Sequence, residues 1–99
     1  MYTKGVRLTK TGIKDAEEIK KILESEGFST YIWSDPPGTY YPVHTHPDRE
    51  VRWIIKGSIT IGIGDEEIKL EEGDRLDLEA GIPHWARTEK GVRYVAGSK

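Results

Sequence analysis

The sequence contains no cysteine, asparagine or glutamine, and its single methionine is residue 1. Without cysteine the chain cannot build a disulfide scaffold, a zinc finger, an iron–sulfur centre or a thiol nucleophile. Apolar runs are only a few residues long, so we expect no transmembrane span and no membrane partner. Lys and Arg total 15 against 17 Asp and Glu, a formal net charge of −2, which leaves no basic stripe for nucleic acid.

Length and composition set further expectations. The 99 residues suffice for one domain, so we expect a single domain over 1–99. The first five residues lack the apolar segment of a secretory signal, and we expect a cytoplasmic protein. Missing amides and thiols beside many Glu and Lys are typical of a heat-adapted (thermophile) protein. Because so small a chain buries only part of its surface, we also expect a homodimer formed through an apolar face.

The patterning predicts one helix and a series of short strands. Asp15 is a favourable N-cap, Glu18 completes a capping-box variant, and apolar residues recur at helical spacing until Gly27. We therefore expect a helix over about 15–26. From about 28 to 97, short apolar segments alternate with turns of glycine, proline and aspartate, which predicts an all-β sandwich or small barrel. The residues before the helix could add an opening strand or arm.

The three histidines, His44, His46 and His84, carry the strongest chemical signal. His44 and His46 are two apart in an extended segment, so both imidazoles project from one face. A short turn leads to Glu50, which we expect to lie beside His46 as its cross-strand neighbour. His84 follows a turn stiffened by proline and is the expected fourth ligand. Imidazole and carboxylate ligands suit one divalent transition metal, Fe, Mn, Ni, Cu, Co or Zn.

Residues 38–57 resemble the first motif of the cupin family. That motif is Gly, five residues, His-x-His, three or four residues, Glu, six residues and Gly. The residues at its fixed positions here are Gly38, His44, His46, Glu50 and Gly57. The motif is specific for the fold and poorly specific for the reaction, because cupins include dioxygenases, isomerases, epimerases, decarboxylases, storage proteins and sensors.

Residues 73–88 resemble the second cupin motif and supply its histidine, His84. Glu79 stands where proline is usual and Thr88 where asparagine is usual, and neither position is a metal ligand in the family. The resemblance covers roughly residues 30 to 96. It implies an antiparallel jelly-roll barrel of six to eight strands with the metal inside. The implied ligands are the residues matching His44, His46, Glu50 and His84.

Arg52 is the residue that could distinguish which of these reactions the protein catalyses. If the strand after Glu50 alternates regularly, Arg52 points into the barrel with Glu50, although a buried guanidinium without a partner is costly. It could anchor an anionic or enolate substrate, or it could form an internal salt bridge, for instance to Asp77. The stretch from Glu50 to Gly57 and the segment Gly81–His84 also resemble acireductone dioxygenases, which are much longer.

The aromatic residues near these motifs each fit more than one role. Trp85 adjoins His84 and could wall the pocket mouth, or belong to the core or an interface. One of Tyr40 and Tyr41 should face inward. Val51, Trp53 and Ile55 should form an outward apolar stripe on one strand. That stripe needs a cover from the helix, an opposing sheet or a second subunit.

Together these features favour a metal-dependent enzyme acting on a small-molecule ligand. The first hypothesis is a dioxygenase-like activity on an enediol, diketone or phenolic compound. In it, Arg52 steadies negative charge, and Glu50 can shift from ligand to proton acceptor. The second is an isomerase or lyase that uses the ion as a Lewis acid. The third is a non-catalytic ligand-binding or sensing cupin.

Overall fold

The computed structural model describes residues 4–99, which form nine strands and one helix. The elements are β1 Val6–Lys10, α1 Ala16–Ser25, β2 Ser29–Asp35, β3 Tyr40–His44, β4 Glu50–Gly57, β5 Ile59–Ile63, β6 Glu66–Leu70, β7 Asp74–Leu78, β8 His84–Arg87 and β9 Val92–Ser98. Their order confirms the predicted helix and strands. The strand count exceeds the six to eight that the resemblance implies because the residues ahead of the helix add β1.

The strands form two antiparallel sheets that face each other as a jelly roll. One sheet has five strands in the order β1-β7-β4-β9-β2, and the other has four in the order β3-β8-β5-β6. Among residues 4–99 no strand pairs from one sheet to the other, so the expected barrel is an open sandwich. Alternate apolar side chains of both sheets meet between them, including Ile54, Ile61, Leu70 and Leu76.

The start of the helix follows from its capping residue. Asp15 is the N-cap, and its carboxylate accepts a hydrogen bond of 2.9 Å from the backbone N–H of Glu18. Gly27 follows the helix with a φ of 96°, the left-handed conformation that glycine adopts without strain. No helix among the described residues is long and apolar enough to cross a bilayer.

The helix covers the outer face of the five-stranded sheet. Ile19 and Leu23 of α1 pack on Val51, Trp53 and Val95, all of which are buried. The predicted apolar stripe of β4 is therefore covered by the helix rather than left for another subunit. The indole N–H of Trp53 donates a hydrogen bond of 3.0 Å to the carbonyl of Ile13, so its polar group is also satisfied.

An ion-pair cluster centred on Arg75 joins the helix to this sheet. Its guanidinium donates to both carboxylate oxygens of Glu26, at 2.9 and 2.7 Å, just beyond α1. It also donates to Asp77, at 2.8 and 3.0 Å, and lies 5.4 Å from the ring centroid of Trp53. The hydrogen bond from Arg75 holds the pKa of Glu26 below its usual value of 4.5.

We predict that Glu26→Gln destabilises the fold at neutral pH and not in acid. Because the folded-state pKa of Glu26 is lowered, its contribution is complete above its unfolded pKa and is lost as pH falls through the folded-state value. The Glu26 side chain is 39% exposed and therefore screened, so we expect a loss of roughly 0.5–1 kcal/mol in the free energy of unfolding at pH 7. Urea titrations at pH 7 and pH 3 would measure it.

Glu89→Gln, at an exposed turn residue, is the matched control and should leave the unfolding free energy unchanged at both pH values. An equal loss at pH 7 and pH 3 for Glu26→Gln would show that the carboxylate charge is not what stabilises this contact.

Candidate metal centre

Strand pairing brings the three histidines into one cluster. His44 ends β3 and lies directly opposite His84 of β8, with the ring centroids 4.5 Å apart. His46 lies two residues beyond β3, with its ring 4.7 Å from that of His44 and 5.3 Å from that of His84. One potential ligand atom from each residue lies within 4.8 Å of the others. Such a cluster has the donor type and spacing of a divalent metal site.

Backbone carbonyls orient two of these rings. Nδ1 of His44 lies 2.6 Å from the carbonyl of Pro42, and Nδ1 of His84 lies 2.9 Å from that of Ile82. A neutral imidazole that donates Nδ1–H to a carbonyl keeps the lone pair on Nε2, the usual arrangement behind a metal ligand. The Nε2 atoms of His46 and His84 are buried and have no hydrogen-bond partner among residues 4–99. Since buried polar atoms are almost always paired, these two atoms fit a metal ion.

Burial also lowers the pKa of two of the three histidines. Burial lowers the pKa of His84 to about 4, and the nearby Arg52 and histidines act in the same direction. Burial likewise lowers the pKa of His46, against the opposing charge of Glu50. Both rings are therefore neutral at pH 7, which is the form that ligates a metal.

Glu50 reaches His46 by a different route from the one the sequence suggested. Oε2 of Glu50 lies 3.3 Å from Nδ1 of His46. The two residues are not cross-strand neighbours of a hairpin, because β3 and β4 belong to different sheets and residues 45–49 cross between them. Glu50 instead pairs with Leu78 and Ser98. Its carboxylate therefore stands beside the histidine cluster, in the opposite wall of the sandwich.

Arg52 points into the sandwich, as alternation along β4 predicts. Its Nη2 lies 3.7 Å from Oε1 of Glu50, and its guanidinium carbon lies 5.7 Å from the ring centroid of Tyr94. Its Nη1 is buried with no partner in the described part of the chain. The suggested salt bridge to Asp77 is wrong, because Asp77 pairs with Val51 on the outward-facing side and binds Arg75.

An aromatic cavity of about 450 Å³ opens in front of Arg52, His44 and His46. Tyr31 and Trp33 of β2, Tyr41 of β3 and Tyr94 of β9 form much of its lining. Tyr41 is thus the inward-facing one of the two adjacent tyrosines. Sequence reasoning missed Tyr31, Trp33 and Tyr94, although the alternation of Tyr31 and Trp33 along one strand was a usable signal.

A buried carboxylate fixes two of the cavity's aromatic residues. Asp35 is 6% exposed, and its Oδ1 accepts hydrogen bonds from the Tyr41 hydroxyl at 2.5 Å and the Trp33 indole at 2.9 Å. Burial and this hydrogen bond raise the pKa of Tyr41, so its hydroxyl keeps its proton at neutral pH. The sequence predicts a turn at Asp35 and gives no sign of this role. The role depends on the packing of the two sheets, which brings Tyr41 of β3 to the carboxylate at the end of β2.

Trp85 does not wall the pocket mouth. It follows His84 directly in β8, so its side chain points to the opposite face of the four-stranded sheet. There it lies against Gly62, where any side chain would overlap the indole, and beside Arg87 and Tyr40. Its role is therefore packing on the outer surface.

Comparison with known proteins matches the part of the chain that carries these residues. A family model described as the cupin domain matches residues 31–96. An acireductone dioxygenase of Puccinia graminis f. sp. tritici is 34% identical over 83 residues, which cover 78% of this chain and 46% of that protein. The chain spans about half the length of the curated acireductone dioxygenases it matches.

Two solved structures illustrate the likeness of fold. The crystal structure of the DMSP lyase DddQ from Ruegeria pomeroyi has a TM-score of 0.67 and 28% identity, covering 73% of this chain and 38% of that chain. A DUF861 family protein from Thermotoga maritima also has a TM-score of 0.67, at 19% identity, covering 95% of this chain and 99% of that chain. At that identity the second likeness shows the fold alone.

We predict that His44→Ala abolishes stoichiometric metal binding. Removing one imidazole from so small a cluster takes away a ligand that no neighbouring side chain replaces, and metal affinity should fall by at least tenfold. Metal content after loading with Mn(II), Ni(II) or Zn(II) and dialysis, measured by elemental analysis, tests this. Thr45→Ala, at the exposed residue between the two histidines, is the control and should retain metal. Unchanged metal content in His44→Ala would contradict the assignment.

Proposed function

This chain belongs to the cupin family, and we propose that it is a metal-dependent enzyme acting on a small organic molecule in the aromatic cavity. One arrangement carries the proposal. The Nε2 atoms of His46 and His84 and the Nη1 atom of Arg52 are buried without a partner among the described residues, and His46 and Arg52 line the same cavity. Buried polar atoms without partners cost stability unless something binds them. A ligand that combines with both would remove that cost.

We propose that His44, His46, His84 and Glu50 hold one divalent transition metal, Fe, Mn, Ni, Cu, Co or Zn. The three imidazoles belong to the cluster already described, and the Glu50 carboxylate lies 3.3 Å from one of them. A bound ion of this kind supplies Lewis acidity and, where it is redox-active, access to oxygen chemistry. The ligand type, nitrogen and oxygen without sulfur, follows from a chain that has no cysteine.

Arg52 would position the substrate. Its Nη1 is free to donate to an anionic oxygen, while Nη2 stays near Glu50. Charge-assisted hydrogen bonds of this kind are about twice as strong as neutral ones. An enediol, a diketone in its enolate form or a phenolate offers such an oxygen. The planar walls of Trp33 and Tyr94 suit a flat, conjugated molecule.

Glu50 would move the proton. Its carboxylate is half-buried between His46 and Arg52, so it can accept a proton from a substrate hydroxyl group and share the resulting hydrogen bond with its neighbours. Deprotonation creates the negative charge that Arg52 then stabilises. The chain thus contributes an acceptor and a cation on one strand, two residues apart.

A dioxygenase-like reaction is our first candidate, and a lyase or isomerase reaction is the second. The first draws support from acireductone dioxygenase relatives and from the Glu50–Arg52 pair. The second draws support from the likeness to DMSP lyase DddQ, which is 34% identical over 65 residues. The same proton acceptor and cation serve both, since each reaction begins by forming or stabilising an anion.

We predict that protein loaded with Fe(II), Mn(II), Ni(II) or Cu(II) consumes oxygen with a 1,2-dicarbonyl or catechol-type compound. An oxygen electrode with a panel of such compounds measures this, with His44→Ala protein as the inactive control. Product formation that continues without oxygen and is supported by Zn(II) would favour the lyase or isomerase reaction. No turnover with any metal, with or without oxygen, would count against an enzyme and favour a binding role.

We predict that Arg52→Gln weakens binding of tropolone, a flat chelating enolate, by roughly 10- to 100-fold, the value of a hydrogen bond to a charged group. Arg52→Lys should recover part of the loss, because lysine keeps the charge without the planar fork. Calorimetry on metal-loaded protein gives the affinities, and elemental analysis checks that metal is retained. Arg93→Gln, at an exposed arginine of β9, is the control. Equal affinity for Arg52→Gln and wild type would reduce Arg52 to a structural partner of Glu50.

A further inference from the structure

The hydroxyl group of Tyr41 contacts a buried carboxylate, which fixes the direction of the hydrogen bond between them. The hydroxyl donates to Oδ1 of Asp35 at 2.5 Å, and the indole N–H of Trp33 donates to the same oxygen at 2.9 Å. An ionised carboxylate only accepts hydrogen bonds, and a phenol has a single proton to donate. The proton of the Tyr41 hydroxyl is therefore committed to Asp35.

The Tyr41 oxygen consequently meets the cavity as an acceptor. Tyr41, Trp33 and Arg52 all line the cavity, and the Trp33 indole nitrogen approaches the hydroxyl oxygen only at 3.3 Å, which is long for a hydrogen bond. Burial and the hydrogen bond to Asp35 raise the pKa of Tyr41, whereas the positive charge of Arg52 lowers it, so the guanidinium lies close enough to act on this hydroxyl. A ligand group that reaches the oxygen from the cavity must supply the proton of the hydrogen bond itself.

Asp35 also makes this oxygen a stronger acceptor. The carboxylate is 6% exposed, and its Oδ2 is buried with no partner among residues 4–99. The hydrogen bonds from Tyr41 and Trp33 both fall on the other oxygen, Oδ1. Hydrogen bonds in series polarise one another, and those to charged groups are the strong ones. The phenol oxygen of Tyr41 is therefore more negative than that of a tyrosine in water, and placing a second acceptor against it is unfavourable.

We propose that Tyr41, held by Asp35, determines specificity as an acceptor, so that the cavity selects a ligand with both an anionic oxygen and a separate hydroxyl group. Arg52 supplies the matching donor, because its Nη1 is buried without a partner in the described part of the chain. The monoanion of an enediol or of a polyhydroxylated phenol has both groups. A diketone or a methyl ether lacks the hydroxyl and sets lone pairs against the Tyr41 oxygen. This inference rests on the proposed function in one respect, namely that the cavity holds an anionic ligand beside Arg52.

Two tropolones that differ in one proton donor test the selection. α-Hydroxytropolone and α-methoxytropolone share the same chelating pair of oxygens, and only the first carries an additional hydroxyl group. Calorimetry on metal-loaded protein gives the ratio of their affinities. The wild type should favour the hydroxyl compound by a factor about 3 to 10 larger than Tyr41→Phe does, the value of one hydrogen bond.

Two substitutions of Asp35 separate hydrogen bonding from the bulk of the methyl group, because both leave Tyr41 in place. Asp35→Asn should keep the preference, since the Trp33 N–H requires an acceptor and the amide oxygen therefore takes the position of Oδ1. Asp35→Leu, of similar size and without an acceptor, should lose the preference, because the hydroxyl is then free to donate to the methoxy oxygen.

Ultraviolet resonance Raman spectra give a second measurement that needs no ligand. The intensity ratio of the tyrosine ring doublet differs between a hydroxyl that donates and one that accepts. Subtracting the spectrum of the same protein with Tyr41→Phe isolates residue 41. The ratio should be that of a donor in the wild type and in Asp35→Asn. It should move toward that of an acceptor in Asp35→Leu, where the Trp33 N–H remains as a neighbour.

The outcomes separate this inference from the proposed function. Tropolones that bind with the same affinity ratio in wild type and Tyr41→Phe would overturn the inference and leave the proposed function standing. A preference that survives in Asp35→Leu, or an acceptor-type Raman ratio in the wild type, would also overturn it. If neither tropolone binds metal-loaded wild-type protein, the proposed ligand site is wrong and the inference falls with it.

Discussion

The site depends on keeping imidazole nitrogens unpaired inside a protein whose other buried polar groups are mostly paired. The Nε2 atoms of His46 and His84 have no partner among the described residues, and neither does Nη1 of Arg52. Burying such an atom without a hydrogen-bond partner costs on the order of 1–3 kcal/mol of stability unless a ligand binds to it. The rest of the domain must therefore hold the histidine rings rigidly, which the cross-strand pairing of His44 with His84 does.

Because the two sheets face each other, the histidine nitrogens and the Glu50 carboxylate lie on opposite walls of the sandwich. His44 and His84 sit on the four-stranded sheet, and Glu50 and Arg52 sit on the five-stranded one. On the far side of β4, α1 and the Arg75 ion pairs seal the outward stripe around Trp53. The strand β4 thus presents buried apolar side chains on its outward face and the Glu50–Arg52 pair on its inward face. Alternation of side chains along β4 makes both possible.

Local patterns explain how much of this could be predicted. Capping at Asp15, turns at glycine and proline, and the spacing of His44 and His46 are short-range features, so the helix, the strands and the histidine pair follow from the sequence. Which strand faces which is a long-range property. The expected hairpin between His46 and Glu50 was wrong although the two do meet, because the chain crosses between sheets at that point. The suggested salt bridge between Arg52 and Asp77 was also wrong, because the register of β7 against β4 places Asp77 on the outward face of the sheet.

The cavity walls show why sequence motifs locate a centre more easily than they define its selectivity. The candidate metal ligands lie in dense motifs, whereas Tyr31, Trp33 and Tyr94 come from two strands far apart in the chain. Tyr31 and Trp33 also lie on an edge strand and are 56% and 46% exposed, so this wall of the cavity is partly open to solvent. Selectivity therefore depends on side chains that strand pairing between distant segments brings together, and no short motif marks them.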